Sequence, residues 1–318
     1  MTQYVLRRLA LGLVLVWVVA TLVFLFVHIL PGDPAQIILG GSETRQPTAE
    51  EVESVRVRLG LNDPLPIQYV DFIRSTVQGD LGNSFSNNRP VFDDLALRMG
   101  RTLQLILPSV VLSALIGIVL GVVAAIHRGS FLDTSISAIG IFGNSLPSFV
   151  TGTVLVLLFA IHLNLLPSSG YIEFSKDPRR FLLYLTLPII TLTLGGLGPV
   201  MRMTRMTMVE QAGGDYVRTA RAKGLTERVI IYRHILRNAL VPVVTVIGLQ
   251  LGSRFAGTVL VETIFNWPGV SSYLITGVTN RDYPVIQGSM IVIATIFVVI
   301  NLMTDLMYAV VDPRIRHV

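Results

Sequence analysis

The chain has no cysteine. Disulfides, thiolate nucleophiles and cysteine-ligated metals are therefore excluded, and the compartment stays undefined by this criterion. Charge is scarce too: Asp, Glu, Lys and Arg make up 14% of 318 residues, against roughly 25% in an average soluble domain. A chain that is 52% hydrophobic with so few charges cannot hide its apolar surface in a soluble core, so its solvent is a lipid bilayer. No Gly-x-x-x-x-Gly-Lys-Ser/Thr stretch occurs, so the chain lacks the loop that cradles nucleotide phosphates and is not expected to hydrolyse ATP. His28, His127, His162, His234 and His317 are scattered, and none stands four residues from another. A metal pair on one helix is therefore not expected. A membrane-embedded enzyme would need clustered nucleophiles, metal ligands or paired carboxylates. The basic pI of 9.7 does not indicate nucleic acid, because the Lys and Arg residues flank apolar runs as they do beside anionic lipid and cytoplasm.

What the chain has in abundance is long apolar runs. A membrane helix needs roughly 20 predominantly apolar residues. Leu9–Leu30, Thr102–Ile126, Thr134–Ile161, Phe181–Met201 and Tyr283–Thr304 carry no Asp, Glu, Lys or Arg, and Asn238–Val261 carries only Arg254. These runs predict an all-α polytopic bundle of six transmembrane helices. The first run follows Arg7 and Arg8 and is too long for a cleavable signal core, so it reads as a retained helix. Segments 1–30, 31–100, 101–310 and 311–318 are then an N-terminal span, a small external insert, a five-helix core and a cytoplasmic tail.

The Lys/Arg bias sets the orientation. Thr204–Asn238 holds seven Lys/Arg against three Asp/Glu, and Pro31–Gly100 holds six against ten. Both termini and the 204–238 loop are expected inside, the insert outside. The loop His162–Arg180, with Lys176, Arg179 and Arg180, runs against this bias and is outvoted. In the insert, Thr48 and Glu51 form a capping box before a helix that Gly60 can end. Pro66 opens a second helix running towards Gly79. Ser113, Gly117, Gly121 and Ala125 form a ridge of small residues, as do Gly140, Asn144, Ser148 and Gly152, and again Gly248, Gly252 and Ala256. Such ridges let helices approach closely in lipid.

The loop between the fourth and fifth spans is the most structured. Asp215 is expected as an N-cap, Tyr216 to Lys223 as two helical turns, Gly224 as the left-handed stop, and Leu225 as its apolar contact. Thr226 can cap a second helix that continues through His234 and Arg237 into the fifth span. A loop serving only the positive-inside bias would not need a helix–Gly–helix unit, whereas a unit passing force to a partner would.

The segment Tyr216, Val217, Arg218, Thr219, Ala220, Arg221, Ala222, Lys223, Gly224, Leu225 resembles the coupling loop of ABC importer permeases of the dipeptide/oligopeptide/nickel type. Further matching pieces, in the same order along the chain, are Pro31-Gly32-Asp33-Pro34, Gly79-Asp80-Leu81-Gly82, Arg128-Gly129-Ser130 with Asp133, and Ser145-Leu146-Pro147. Then come Leu166-Pro167 with Gly170-Tyr171, Arg237-Asn238-Ala239-Leu240 with Pro242, Glu262-Thr263-Ile264-Phe265, Pro268-Gly269, and Asp312 to Arg316. The resemblance implies a non-catalytic permease subunit in a bacterial inner membrane. It implies a second homologous permease subunit, two ATP-binding subunits that hold ATP and magnesium, and an extracytoplasmic solute-binding protein. It also implies that the loop helix sits in a cleft of the ATPase. The broader importer signature has Glu-Ala-Ala before the glycine where this chain has Arg218-Thr219-Ala220, so only Ala220 and Gly224 carry over. Di- or oligopeptides are the implied solutes, with nickel, glutathione and opine-like solutes as alternatives.

A secondary transporter or channel would need ionisable groups within the spans. Only Arg254 lies inside one, and Asp305 lies near the inner end of the last. Arg254 is a pathway residue, or it snorkels, or it pairs with Glu262, two turns away on the same face. Asn144, Ser148, Arg254 and Glu262 are the candidate pathway residues.

Overall fold

A computed structural model describes residues 2–29, 35, 48–58 and 61–311. Among these residues every regular element is helical, with one isolated antiparallel bridge between Asn83 and Pro90. The motifs at Pro31–Pro34 and Asp312–Arg316, the stop at Gly60 and the side chain of Asp305 lie outside the described residues.

The helices are α1 (Thr2–Ile29), α2 (Ala49–Arg58), α3 (Leu65–Val77), α4 (Val91–Ile126), α5 (Phe131–Ser145) and α6 (Ser148–Leu155, prolonged by π-type turns over Val156–His162). They are followed by α7 (Pro178–Ala212), α8 (Asp215–Ala222) and α9 (Glu227–Val229), with π-type turns over Ile230–Ile235. The last three are α10 (Leu236–Ile264), α11 (Val270–Thr279) and α12 (Tyr283–Val311). Five helical stretches are long and apolar enough to cross a membrane, and the pair α5–α6 makes a sixth if its two halves are counted together.

The run Thr134–Ile161, expected as one span, is not one continuous helix: the chain bends by 102° between its halves. Leu146 is extended, at φ −80° and ψ 127°, since the ring of Pro147 disfavours helical geometry in the residue before it. Pro147 also has no N–H to continue the ladder. The ridge read through Gly140, Asn144, Ser148 and Gly152 is thus split at the break.

The chain forms two compact units, one comprising Thr102–Trp267 with the chain from Ile300 onward, the other Thr2–Arg101 with Pro268–Val299. In the first unit α7 packs along both α5 and α10. Its core gathers Leu105, Phe181, Leu187, Leu192, Val261, Phe265 and Trp267. Close approach depends on glycine. A Cβ on Gly198 of α7 would overlap the Gly140 carbonyl of α5, and one on Gly121 would lie 2.7 Å from the Met201 carbonyl. Gly152, past the break, approaches Thr191 and Phe265, so both halves of the split ridge still serve helix packing.

In the second unit the Thr48–Glu51 capping box forms, with Thr48 N–H donating to Glu51 Oε2 at 2.8 Å and Glu51 N–H to Thr48 Oγ1 at 3.3 Å. Pro66 lies in the first turn of α3. That helix packs on α1, where Thr21 Oγ1 and Tyr69 Oη are 2.7 Å apart and the His28 ring lies 4.2 Å from Phe24. Buried Asp282 accepts from Ser84 Oγ at 2.6 Å and Ser86 N–H at 3.0 Å, fixing the turn that follows Gly82.

Candidate functional site

Helix α8 begins one residue earlier than read from the sequence. Its N-cap is Gly214, extended at φ −69° and ψ 149°, and no side chain caps it. Asp215 is instead the first helical residue, where its carboxylate faces the positive end of the helix. The stop is as expected. Gly224 has φ +76°, its N–H donates to the Arg221 carbonyl at 2.9 Å, and Leu225 N–H donates to the Ala220 carbonyl at 3.3 Å. This 5→2, 6→1 pair is a Schellman closure. Leu225 does not supply the apolar contact, being 40% exposed. Thr226 is the N-cap of α9 by backbone, with no side-chain bond.

One face of α8 is anchored. Val217 and Ala220 are buried among Val122, Met208, Ile230, Ile235 and Ala239, with Tyr216 packed alongside. The Tyr216 hydroxyl donates to Gln211 Oε1 at 3.0 Å. The other face is open: Arg218, Thr219 and every residue from Arg221 to Val229 are exposed. Arg221 Nε donates to Glu227 Oε1 at 2.7 Å and Nη2 to Oε2 at 3.3 Å, which holds the Arg221 guanidinium in its charged form. Together these contacts make a short helix of fixed direction with a basic outer surface.

The candidate pathway residues fall in two places. Asn144 and Ser148 flank the α5–α6 break, Asn144 exposed and Ser148 half-buried. Arg254 and Glu262 are buried on α10 and do not pair. Arg254 donates to the Leu192 carbonyl and to Gln250 Oε1 at 3.1 Å. Glu262 accepts from Thr102 Oγ1 at 2.7 Å. The guanidinium reaches a carbonyl of the facing helix, besides Gln250 one turn back on its own, because Gly196 leaves it room. Sequence reasoning misses Gln250, Gly196 and Thr102. The glycine pair is the one legible hint, but it names no partner across a helix interface.

The Arg128-Gly129-Ser130 segment has a structural role in this unit. Asp133 accepts from Arg205 Nε at 2.5 Å, from Nη2 at 2.7 Å and from Gly129 N–H at 2.9 Å, tying the α4–α5 turn to α7. Gly129 itself is left-handed at φ +79°.

The family described as the binding-protein-dependent transport system inner membrane component matches residues 117–317, and the N-terminal component of the same system matches residues 1–106. The chain belongs to this family. Among its relatives, the dipeptide transport system permease protein DppB of Escherichia coli strain K12 is 40% identical, covering 100% of this chain and 99% of that protein. The glutathione transport system permease protein GsiC of Escherichia coli O6:H1 is 41% identical over the full length of both. A putative peptide permease of Brucella suis biovar 1 is 39% identical over 99% of each. The inward-facing MetNI methionine ABC transporter has a chain of like fold, with a TM-score of 0.54 at 19% identity, covering 69% of this chain and 96% of that one. An amino acid ABC transporter crystallised with histidines gives 0.51 at 16% identity, covering 70% and 94%. The family places this chain as a membrane permease subunit of an ABC importer of the peptide type, a group of proteins that work with ATP-binding and substrate-binding partners.

Proposed function

We propose that this subunit forms the translocation path of an ATP-driven peptide importer together with a second, related permease subunit. Two ATP-binding subunits, carrying ATP and magnesium, dock on the cytoplasmic side, and an extracytoplasmic binding protein delivers the solute. Both termini and the 204–238 loop face the cytoplasm of a bacterial inner membrane, and residues 31–100 form the outer insert. Residues Tyr216 to Leu225 form the coupling element.

The observation that carries this reading is the two-faced geometry of α8. Val217 and Ala220 fasten it to the membrane helices, and its opposite face at Arg218, Thr219, Arg221 and Ala222 is open, as is the chain that follows to Val229. A helix held rigidly on one side and bare on the other transmits displacement from a docked ATPase into α4, α7 and α10, whose residues form the cluster beneath it. The 40% identity to DppB over the full chain supports peptides as solutes. The 41% identity to GsiC supports glutathione as a second reading.

The test is reconstitution of the complete complex in proteoliposomes. Loaded binding protein is expected to stimulate ATP hydrolysis and to drive uptake of a labelled dipeptide. Hydrolysis unaffected by binding protein, together with ATP-independent uptake, would refute the importer reading. Uptake of glutathione without any dipeptide would replace the solute and leave the mechanism standing.

A further inference from the structure

Arg254 is the only charged residue between Asn238 and Val261, and it is 8% exposed. A cation at such a position is costly to keep in a membrane span and is there for a function or for a partner. The partners it has are neutral: the Leu192 carbonyl and Gln250 Oε1. The buried acidic groups among the described residues of the same unit are engaged elsewhere, Glu262 with Thr102 and Asp133 with Arg205. Two of the five N–H donors of a guanidinium are thus satisfied, by acceptors without charge.

The surroundings keep that guanidinium in place and within reach. A Cβ on Gly196 would overlap Nη2, so the glycine is what lets the charge lie against α7. Gln250 also donates Nε2 to the Gly196 carbonyl at 3.0 Å, bridging the same two helices. Gln250, which accepts from the guanidinium, and Gly195, whose Cβ position lies 3.9 Å from Nη1, are both half-buried, so the charge is not sealed from the surface. A carboxylate arriving there brings the opposite full charge that the Gln250 amide oxygen lacks, and the planar fork of Arg matches its two oxygens bidentately.

We propose that Arg254, with Gln250 as its resting acceptor and Gly196 as its seat, recognises a carboxylate of the transported solute. Dipeptides and glutathione share this group. The choice of probe rests on the peptide reading above; the recognition chemistry does not.

The experiment compares uptake of alanyl-phenylalanine and alanyl-phenylalaninamide by the reconstituted complex with its binding protein, for wild type, Arg254→Gln, Arg254→Lys and Gly196→Ala. Arg254→Gln is expected to cut the uptake efficiency of the free acid about tenfold or more, the loss typical of a bond to a charged group, and to leave that of the amide unchanged. Arg254→Lys keeps the charge without the fork and is expected to retain part of the preference for the acid. Gly196→Ala, which displaces the guanidinium, should act in the same direction as Arg254→Gln. If Arg254→Gln does not assemble, the Lys and Gly196 variants decide the matter by the same ratio. Equal losses for acid and amide would overturn the proposal, leaving Arg254 as a helix clasp or as the partner of a carboxylate on the second permease subunit. A wild type that carries only solutes without a carboxylate would overturn it too, with the importer assignment intact. If the wild type carries glutathione and no dipeptide, the peptide reading fails, and glutathione against its dimethyl ester gives the same ratio.

Discussion

Arg221 and Glu227 clasp across the Gly224 turn, with two nitrogen–oxygen bonds of 2.7 and 3.3 Å. The clasp joins the end of α8 to the start of α9. It lies at the surface, with side chains 50% and 59% exposed, so its contribution is small and falls with salt. Glu227→Gln should leave membrane insertion and complex assembly intact. Amide exchange over residues 221–230 should quicken by no more than about fivefold at low salt, and the difference from wild type should fade in molar salt. A loss of assembly in this variant would mean the pair does more than order the turn.

Gly224 separates backbone strain from steric clash. Its φ is +76° and nothing lies within 4 Å of the point a Cβ would occupy, so any penalty is conformational alone. Gly224→Val should cost on the order of 1–3 kcal/mol locally and displace the end of α8. Binding-protein-stimulated ATP hydrolysis and uptake should fall while the spans insert normally. Gly224→Asn, a residue that tolerates this conformation, should retain most activity. Full stimulated hydrolysis by the Val variant would remove the coupling role from this loop.

Gly198 is the glycine whose replacement should harm the bundle most, because a Cβ there meets the backbone of Gly140 rather than a movable side chain. Gly198→Ala should lower stability in detergent by about 1–3 kcal/mol, as overpacking does. Gly257→Ala is the matched control, since no atom lies within 4 Å of a Cβ at that position. Thermal unfolding of the solubilised protein should separate the two variants clearly, and equal midpoints would mean α5 and α7 are not in register as described.

Asp133 is 4% exposed and Arg205 covers both of its oxygens. Arg205→Met strands a buried carboxylate and should cost about 3–5 kcal/mol. Adding Asp133→Asn should recover much of that loss. Denaturation of the single and double variants measures the coupling directly, and simple additivity would show that the pair is not a unit.

Orientation can be checked in a chain free of native cysteine. An impermeant thiol reagent applied to intact cells should label Gln78→Cys and spare Thr226→Cys, both sites being exposed. Labelling at Thr226 would reverse the assigned topology.

Much of this molecule is written locally in its sequence. Apolar length locates the spans, the Thr48–Glu51 box marks the start of α2, and Gly224 marks the end of α8, because caps and left-handed stops depend on residues within one turn of each other. The smaller departures are local too. Gly214 takes the extended cap conformation expected of Asp215, so the carboxylate enters the first turn instead.

What the sequence alone determined about this protein is its solvent, its helices and the position of its loop unit, since each follows from composition, periodicity or contacts between near neighbours. Only the tertiary structure decided the 102° turn at Leu146-Pro147, for a proline permits a kink, a break or a helix start, and packing selects among them. Tertiary structure alone also turned Arg254 away from Glu262 and towards the Leu192 carbonyl. Same-face spacing on one helix brings two side chains near each other, but a facing helix with glycine at Gly196 offered the guanidinium a carbonyl, and that helix is distant in the chain.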